Sequence, residues 1–99
     1  MLHIINKSPF EKNSLESCLR VAQKGSTLLL IEDGVYGAIR GSAKADLLQQ
    51  AMAEHTVCAL EPDIKARGVQ GKVMDGIALV DYSDFVDLVA ASERVQSWL

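Results

Sequence analysis

The sequence predicts an α/β fold, a three-layer β/α sandwich with a mostly parallel sheet, and three observations predict it. Short apolar runs suited to strands recur at residues 2–6, 27–31, 55–60 and 77–80. Between them lie segments with helical apolar spacing and helix-start signals. The strand runs are nearly continuous rather than alternating, the pattern of strands covered on both faces. Strand and helix patterns that alternate along a whole chain place helices on both faces of one sheet. The connections should be right-handed.

The elements follow in order. After the first strand, Ser8-Pro9-Phe10-Glu11 offers an N-cap serine, a proline at the first helical position and a glutamate at N3. Asn13-Ser14-Leu15-Glu16 offers a second such start, so the helix begins at one or the other. Leu15, Cys18, Leu19 and Ala22 share a helical face, and Gly25 is expected to end the helix. Asp33-Gly34 breaks the second strand, residues 35–39 read as a short helical segment, and Gly41 interrupts it. Ser42 can cap a further helix in which Leu47, Leu48, Ala51 and Met52 lie on one side. Beyond the third strand, Pro62 opens a short helix that Gly68 closes, and residues 69–76 form a glycine-containing connection. Ser83 is the expected N-cap of the last helix, with Phe85, Leu88 and Val89 on its buried face. The apolar tail at residues 95–99 is an edge strand or a docking segment.

With 99 residues and no repeats or linkers, the chain reads as a single domain over residues 1–99. Its 48% hydrophobic content marks it as globular, and small domains bury a limited share of their surface. Some of this apolar surface is therefore expected to face another subunit. The net charge is −3, with 10 basic and 13 acidic residues interspersed, and no basic stripe suggests direct contact with nucleic acid. The apolar start is too short for a secretory signal and no run approaches membrane-spanning length, so the expected location is the cytoplasm. Reduced thiols are then the default for the two cysteines, Cys18 and Cys58.

In folds of this type ligands bind beyond the carboxyl ends of the strands. Those ends carry Asn6-Lys7-Ser8, Glu32-Asp33-Gly34, Glu61-Pro62-Asp63 and Asp81-Tyr82-Ser83. The acids could form a divalent-metal or phosphoacceptor rim, but acidic residues also serve as turn formers and helix N-terminal charges. A phosphoacceptor receiver needs an acidic pair after the first strand, where this chain has Asn6-Lys7. Gly34, Gly37 and Gly41 lack the spacing of a nucleotide loop, and Cys18, Cys58, His3 and His55 lack paired metal-ligand spacing. No cofactor and no metal are expected. His3 and His55 read as packed or surface imidazoles. A reactive thiol needs a helix N-terminus or a nearby cation, and Cys18 lies beyond the first turn. Residues alone favour a structural Cys18, and more so a structural Cys58 inside its strand.

Taken together, several blocks resemble the DsrH/TusB family. Leu2-His3 with Asn6-Lys7-Ser8-Pro9-Phe10 looks like its amino-terminal signature, and Leu29-Leu30-Ile31-Glu32-Asp33-Gly34-Val35-Tyr36 is similar to its second-strand block. Asp63 with Ala66-Arg67-Gly68, then Asp81-Tyr82, Phe85-Val86 and Leu88, and finally Trp98, resemble later blocks. The resemblance implies a DsrE/DsrF-like fold and a sulfur-relay subunit. It implies partners of the DsrE/TusD-like and DsrF/TusC-like kinds in a heterohexamer, with a DsrC/TusE-like carrier downstream. The relay would serve dissimilatory sulfur oxidation or 2-thiolation of the tRNA wobble uridine. The principal sulfur acceptor would lie on the DsrE/TusD-like partner. Ser14-Leu15-Glu16-Ser17-Cys18-Leu19 resembles the sulfur-oxidation branch, in which this subunit has its own cysteine. That marks Cys18 as a candidate secondary persulfide carrier. The alternative is a purely structural or regulatory subunit with no sulfur-carrying role.

Overall fold

A computed structural model describes residues 1–98. Strands β1 (Leu2–Ile5), β2 (Thr27–Leu30), β3 (Thr56–Leu60), β4 (Ala78–Val80) and β5 (Val95–Trp98) form one sheet in the order β4-β3-β2-β1-β5. Every neighbouring pair is parallel, so the expected mostly parallel sheet is wholly so. The helices are α1 (Ser14–Val21), α2 (Ala45–Met52), α3 (Glu61–Ala66) and α4 (Tyr82–Ala91). A 3₁₀ helix over Glu32–Ala38 replaces the predicted short helical segment.

The order of the strands dictates the layers. From β1 to β4 the chain steps steadily toward one edge, and only the last connection returns across the sheet to β5. Right-handed crossovers in opposite directions must pass on opposite faces. Accordingly α1, the 3₁₀ helix, α2 and α3 bury Leu15, Cys18, Val35, Ala38, Leu48, Ala51 and Ile64 against Ile5, Leu28, Leu30, Val57 and Ala59. On the other face α4 alone sets Phe85 and Leu88 against Leu2, Ile4, Leu29 and Cys58. Each large aliphatic side chain fully buried in this way contributes about 1.5–3 kcal/mol of transfer free energy.

Helix boundaries follow local hydrogen bonds. Ser8 does not start a helix: its carbonyl accepts from the Glu11 and Lys12 amides, closing a turn that precedes α1. The second predicted start prevails, with Asn13 at the N-cap position. Gly25 does not end α1, which stops at Val21; it sits three residues past the Ala22 C-cap with φ of 90°. Ser83 is not the cap of α4. Asp81 takes that place because its carboxylate accepts from the Asp84 amide while Asp84 accepts from the Asp81 amide. Val89, expected inside, is 37% exposed because it sits on the flank of α4 away from the Phe85–Leu88 face. The tail is an edge strand, and Leu99 lies outside the described residues.

Gly34 shows how closely the second connection sits on the first strand. A Cβ there would lie 2.2 Å from the Ile5 carbonyl oxygen, a backbone atom that cannot move aside. Gly34→Ala should therefore cost about 1–3 kcal/mol in urea-melt stability, as overpacked core substitutions do.

β5 is tied to β1 by more than its ladder. Trp98 Nε1 donates to His3 Nδ1 at 3.1 Å, which places the neutral imidazole's proton on Nε2. His3 is buried, and burial, then the Met1 α-amino group and His55, hold its pKa below the ordinary 6.5. The folded state thus binds fewer protons than the unfolded chain just below pH 6.5. Stability from this group is fully present above that value and declines as pH falls from it toward the folded pKa. Urea melts at about pH 7.5 and about pH 5 should show that loss, and His3→Gln should remove part of the slope. An unchanged slope in the variant would assign the pH dependence elsewhere.

Candidate functional site

Two groups of residues carry the chemistry that the sequence singles out: the carboxyl-end rim of the sheet and the thiol of Cys18. At the rim, Glu32 is the one non-glycine among the described residues with a left-handed backbone, φ of 49°. Such a conformation is strained for an L residue. It is held in place because its amide donates to Asp63 Oδ2 at 2.6 Å. Arg67, from the residue that ends α3, reaches across to Asp33, with Nε and Nη2 donating to Oδ1 at 3.0 and 2.9 Å. Its Nη1 donates to the Asp63 carbonyl at 3.2 Å, and its guanidinium lies 6.0 Å from the centre of the Tyr36 ring.

The fold therefore unites Asp33 and Asp63, which are 30 positions apart in the sequence, around one arginine. It does not bring Asp81 to them, because Asp81 spends its carboxylate on capping α4. Asp33 and Asp63 are engaged by the guanidinium and by a backbone amide, which makes them structural ties between the β2 and β3 connections. The role of Arg67 was not legible beforehand; the Ala66-Arg67-Gly68 block signalled a helix end but not its distant partner. Beside this cluster, Asn6 Oδ1 is buried with no hydrogen-bond partner.

Cys18 lies elsewhere. Its side chain is fully buried within the α1 core, and burial pushes the thiol up to about 11. At pH 7 such a thiol is protonated and is a poor nucleophile. Among the described residues burial alone shifts it: Lys44 pairs with Glu16 at 2.5 Å, holding the Glu16 carboxyl below its usual range, and Arg20 is solvent-exposed. Cys58 packs on the opposite face of the sheet, where burial and then Asp84 raise its pKa as well. Separate faces keep the two as free thiols. Cys18 should react with a thiol-specific reagent only as fast as the chain opens, with full reactivity in denaturant. Rapid native-state labelling of Cys18 would show that α1 exposes it.

A parallel sheet with helices on both faces, one of which encloses the Cys18 thiol in its core, defines a small α/β protein. Residues 7–95 match the family described as DsrH like protein. The chain is 40% identical to protein TusB of Enterobacter sp. (strain 638) and 36% identical to protein TusB of Escherichia coli (strain K12), each over 98 residues, covering 99% of this chain and 100% of the relative. The chain belongs to the DsrH/TusB family of sulfur-relay subunits. Among solved structures, the ychN protein from E. coli superposes with a TM-score of 0.77 at 14% identity, covering 97% of each chain. Tm0979 from Thermotoga maritima does so with a TM-score of 0.64 at 23% identity, covering 95% of this chain and 97% of that one. These two likenesses concern the fold. No helix among the described residues is long and apolar enough to cross a membrane.

Proposed function

We propose that this chain is a supporting subunit of a cytoplasmic sulfur relay that feeds 2-thiolation of the tRNA wobble uridine. The observation that carries the supporting role is the state of its thiols, both buried and both raised in pKa. A principal sulfur acceptor needs an accessible thiolate, so that group belongs on a partner. The partners are DsrE/TusD-like and DsrF/TusC-like subunits, as a heterohexamer that passes sulfur to a DsrC/TusE-like carrier. The full-length likeness to TusB proteins supports the tRNA branch. Service in dissimilatory sulfur oxidation is the second reading, favoured by the cysteine within Ser14-Leu15-Glu16-Ser17-Cys18-Leu19.

Cys18 enters as a gated secondary carrier. Its thiolate would attack the terminal sulfur of a donor persulfide, forming a new S–S bond as the donor's S–S bond breaks and its thiolate leaves. The transfer is isoelectronic and needs no oxidant or cofactor. It requires α1 to lift Cys18 from the core in some state of the complex.

Co-expression with the two partner-type subunits of the same genome should yield a stable complex. After incubation with a persulfide donor, mass spectrometry should find most added sulfur on a partner cysteine. A smaller fraction should sit on Cys18 and vanish in Cys18→Ser. An unmodified Cys18 peptide under conditions that load the partner would leave the purely structural role. Loss of the gene should lower the 2-thiouridine content of tRNA in the host; unchanged content would shift the assignment to sulfur oxidation.

A further inference from the structure

The single helix on the second face is apolar on more sides than its own fold uses. Phe85 and Leu88 of α4 face the sheet. Tyr82, Val86 and Val89, spaced i, i+4 and i+7 on one flank, are 60%, 65% and 37% exposed. The other flank borders an open trough of about 400 Å³ with Cys58, Val80, Leu88 and Ala91 along it and Asp84 and Asp87 at its rim. Because that trough lies over β3 and β4, the exposed flank turns toward the β1–β5 side. There Val95 of the edge strand is 42% exposed and shares the face of Leu2 through its register. An apolar stripe at this spacing, on a helix that leads within a few residues into an exposed edge strand, is the pattern of a protein-docking surface rather than of scattered surface residues.

Charge identifies the occupant. From residue 81 to residue 93 the chain carries Asp81, Asp84, Asp87 and Glu93 and no lysine or arginine, and a single cation, Arg94, follows at the entry to β5, so the surface is net acidic. In a two-fold contact a second copy would set these acids against their own equivalents, which is unfavourable at a desolvated interface. The same acids repel nucleic acid and anionic membrane. We propose that the outer face of α4, with its trough and the adjoining β5 edge, docks a different protein chain. That chain's contact face carries an apolar side chain for the trough and lysine or arginine opposite Asp84 and Asp87. The proposal rests on the sulfur-relay reading for the partner's identity, since it assigns this face to one of the partner-type subunits.

The test measures affinity between the purified chain and each partner-type subunit from the same genome, with wild type, Val86→Asp, Asp87→Lys and Gln49→Asp. Val86, Asp87 and Gln49 are all exposed, so folding should be intact, which circular dichroism and thermal melting check. Val86→Asp and Asp87→Lys should each weaken one partner at least tenfold, a loss of about 1.4 kcal/mol or more. Gln49→Asp, on α2 at the opposite face, should change it less than twofold. Full affinity in both α4 variants overturns the docking surface while leaving the relay reading intact. Absence of binding by the wild type to either subunit overturns the relay partnership itself. Self-association of the isolated chain that disappears with Val86→Asp would make a second copy the occupant and overturn the heterologous partner.

Discussion

Right-handed connection of parallel strands is the constraint on which the rest of this molecule depends. Because the chain steps in one direction from β1 through β4 and returns only once, three helices and the 3₁₀ segment accumulate on one face and α4 stands alone on the other. That asymmetry sets both the depth at which Cys18 is buried and the exposure of the outer side of α4. The face that is covered thickly holds the core; the face that is covered thinly keeps apolar surface in contact with water.

The rim shows how the strand connections are held in register. Glu32 adopts a left-handed backbone that costs about 1–2 kcal/mol for an L residue, and the Asp63 carboxylate offsets that cost by accepting its amide. Arg67 then ties Asp33 to the same helix end. Gly34 completes the arrangement, since no other residue fits against the Ile5 carbonyl. Acids that look like a cation site in sequence are in this way hydrogen-bonded struts between loops.

For sulfur chemistry the arrangement separates two requirements that a primary acceptor must combine. A persulfide carrier needs a thiol that is both ionised and reachable. Cys18 has neither property in this conformation, because the apolar core that surrounds it disfavours charge and excludes solvent. The same packing that stabilises α1 keeps Cys18 out of reach in this conformation, which is what the proposed supporting role rests on. The acidic, apolar outer face of α4 is suited to association with a differently charged chain, which is what a subunit of a mixed complex requires.

The apolar runs and their spacing determined the α/β class, four of the five strands and the approximate helices, because burial on both faces of a parallel sheet writes itself as continuous hydrophobic segments. The fifth strand was legible only as an apolar tail, since Gln96 and Ser97 interrupt its apolar run. Turn chemistry was legible at Pro62 and Gly68, but not at Ser8, which closes a turn before α1, or at Ser83, where the reciprocal Asp81–Asp84 hydrogen bonds cap the helix instead. Family membership was also visible in sequence blocks that run the length of the chain. Strand order, the pairing of Arg67 with Asp33, the Trp98–His3 hydrogen bond and the separation of the two thiols were decided only by tertiary structure. Each joins residues far apart in the chain, and local propensity carries no information about which distant partner a side chain will meet.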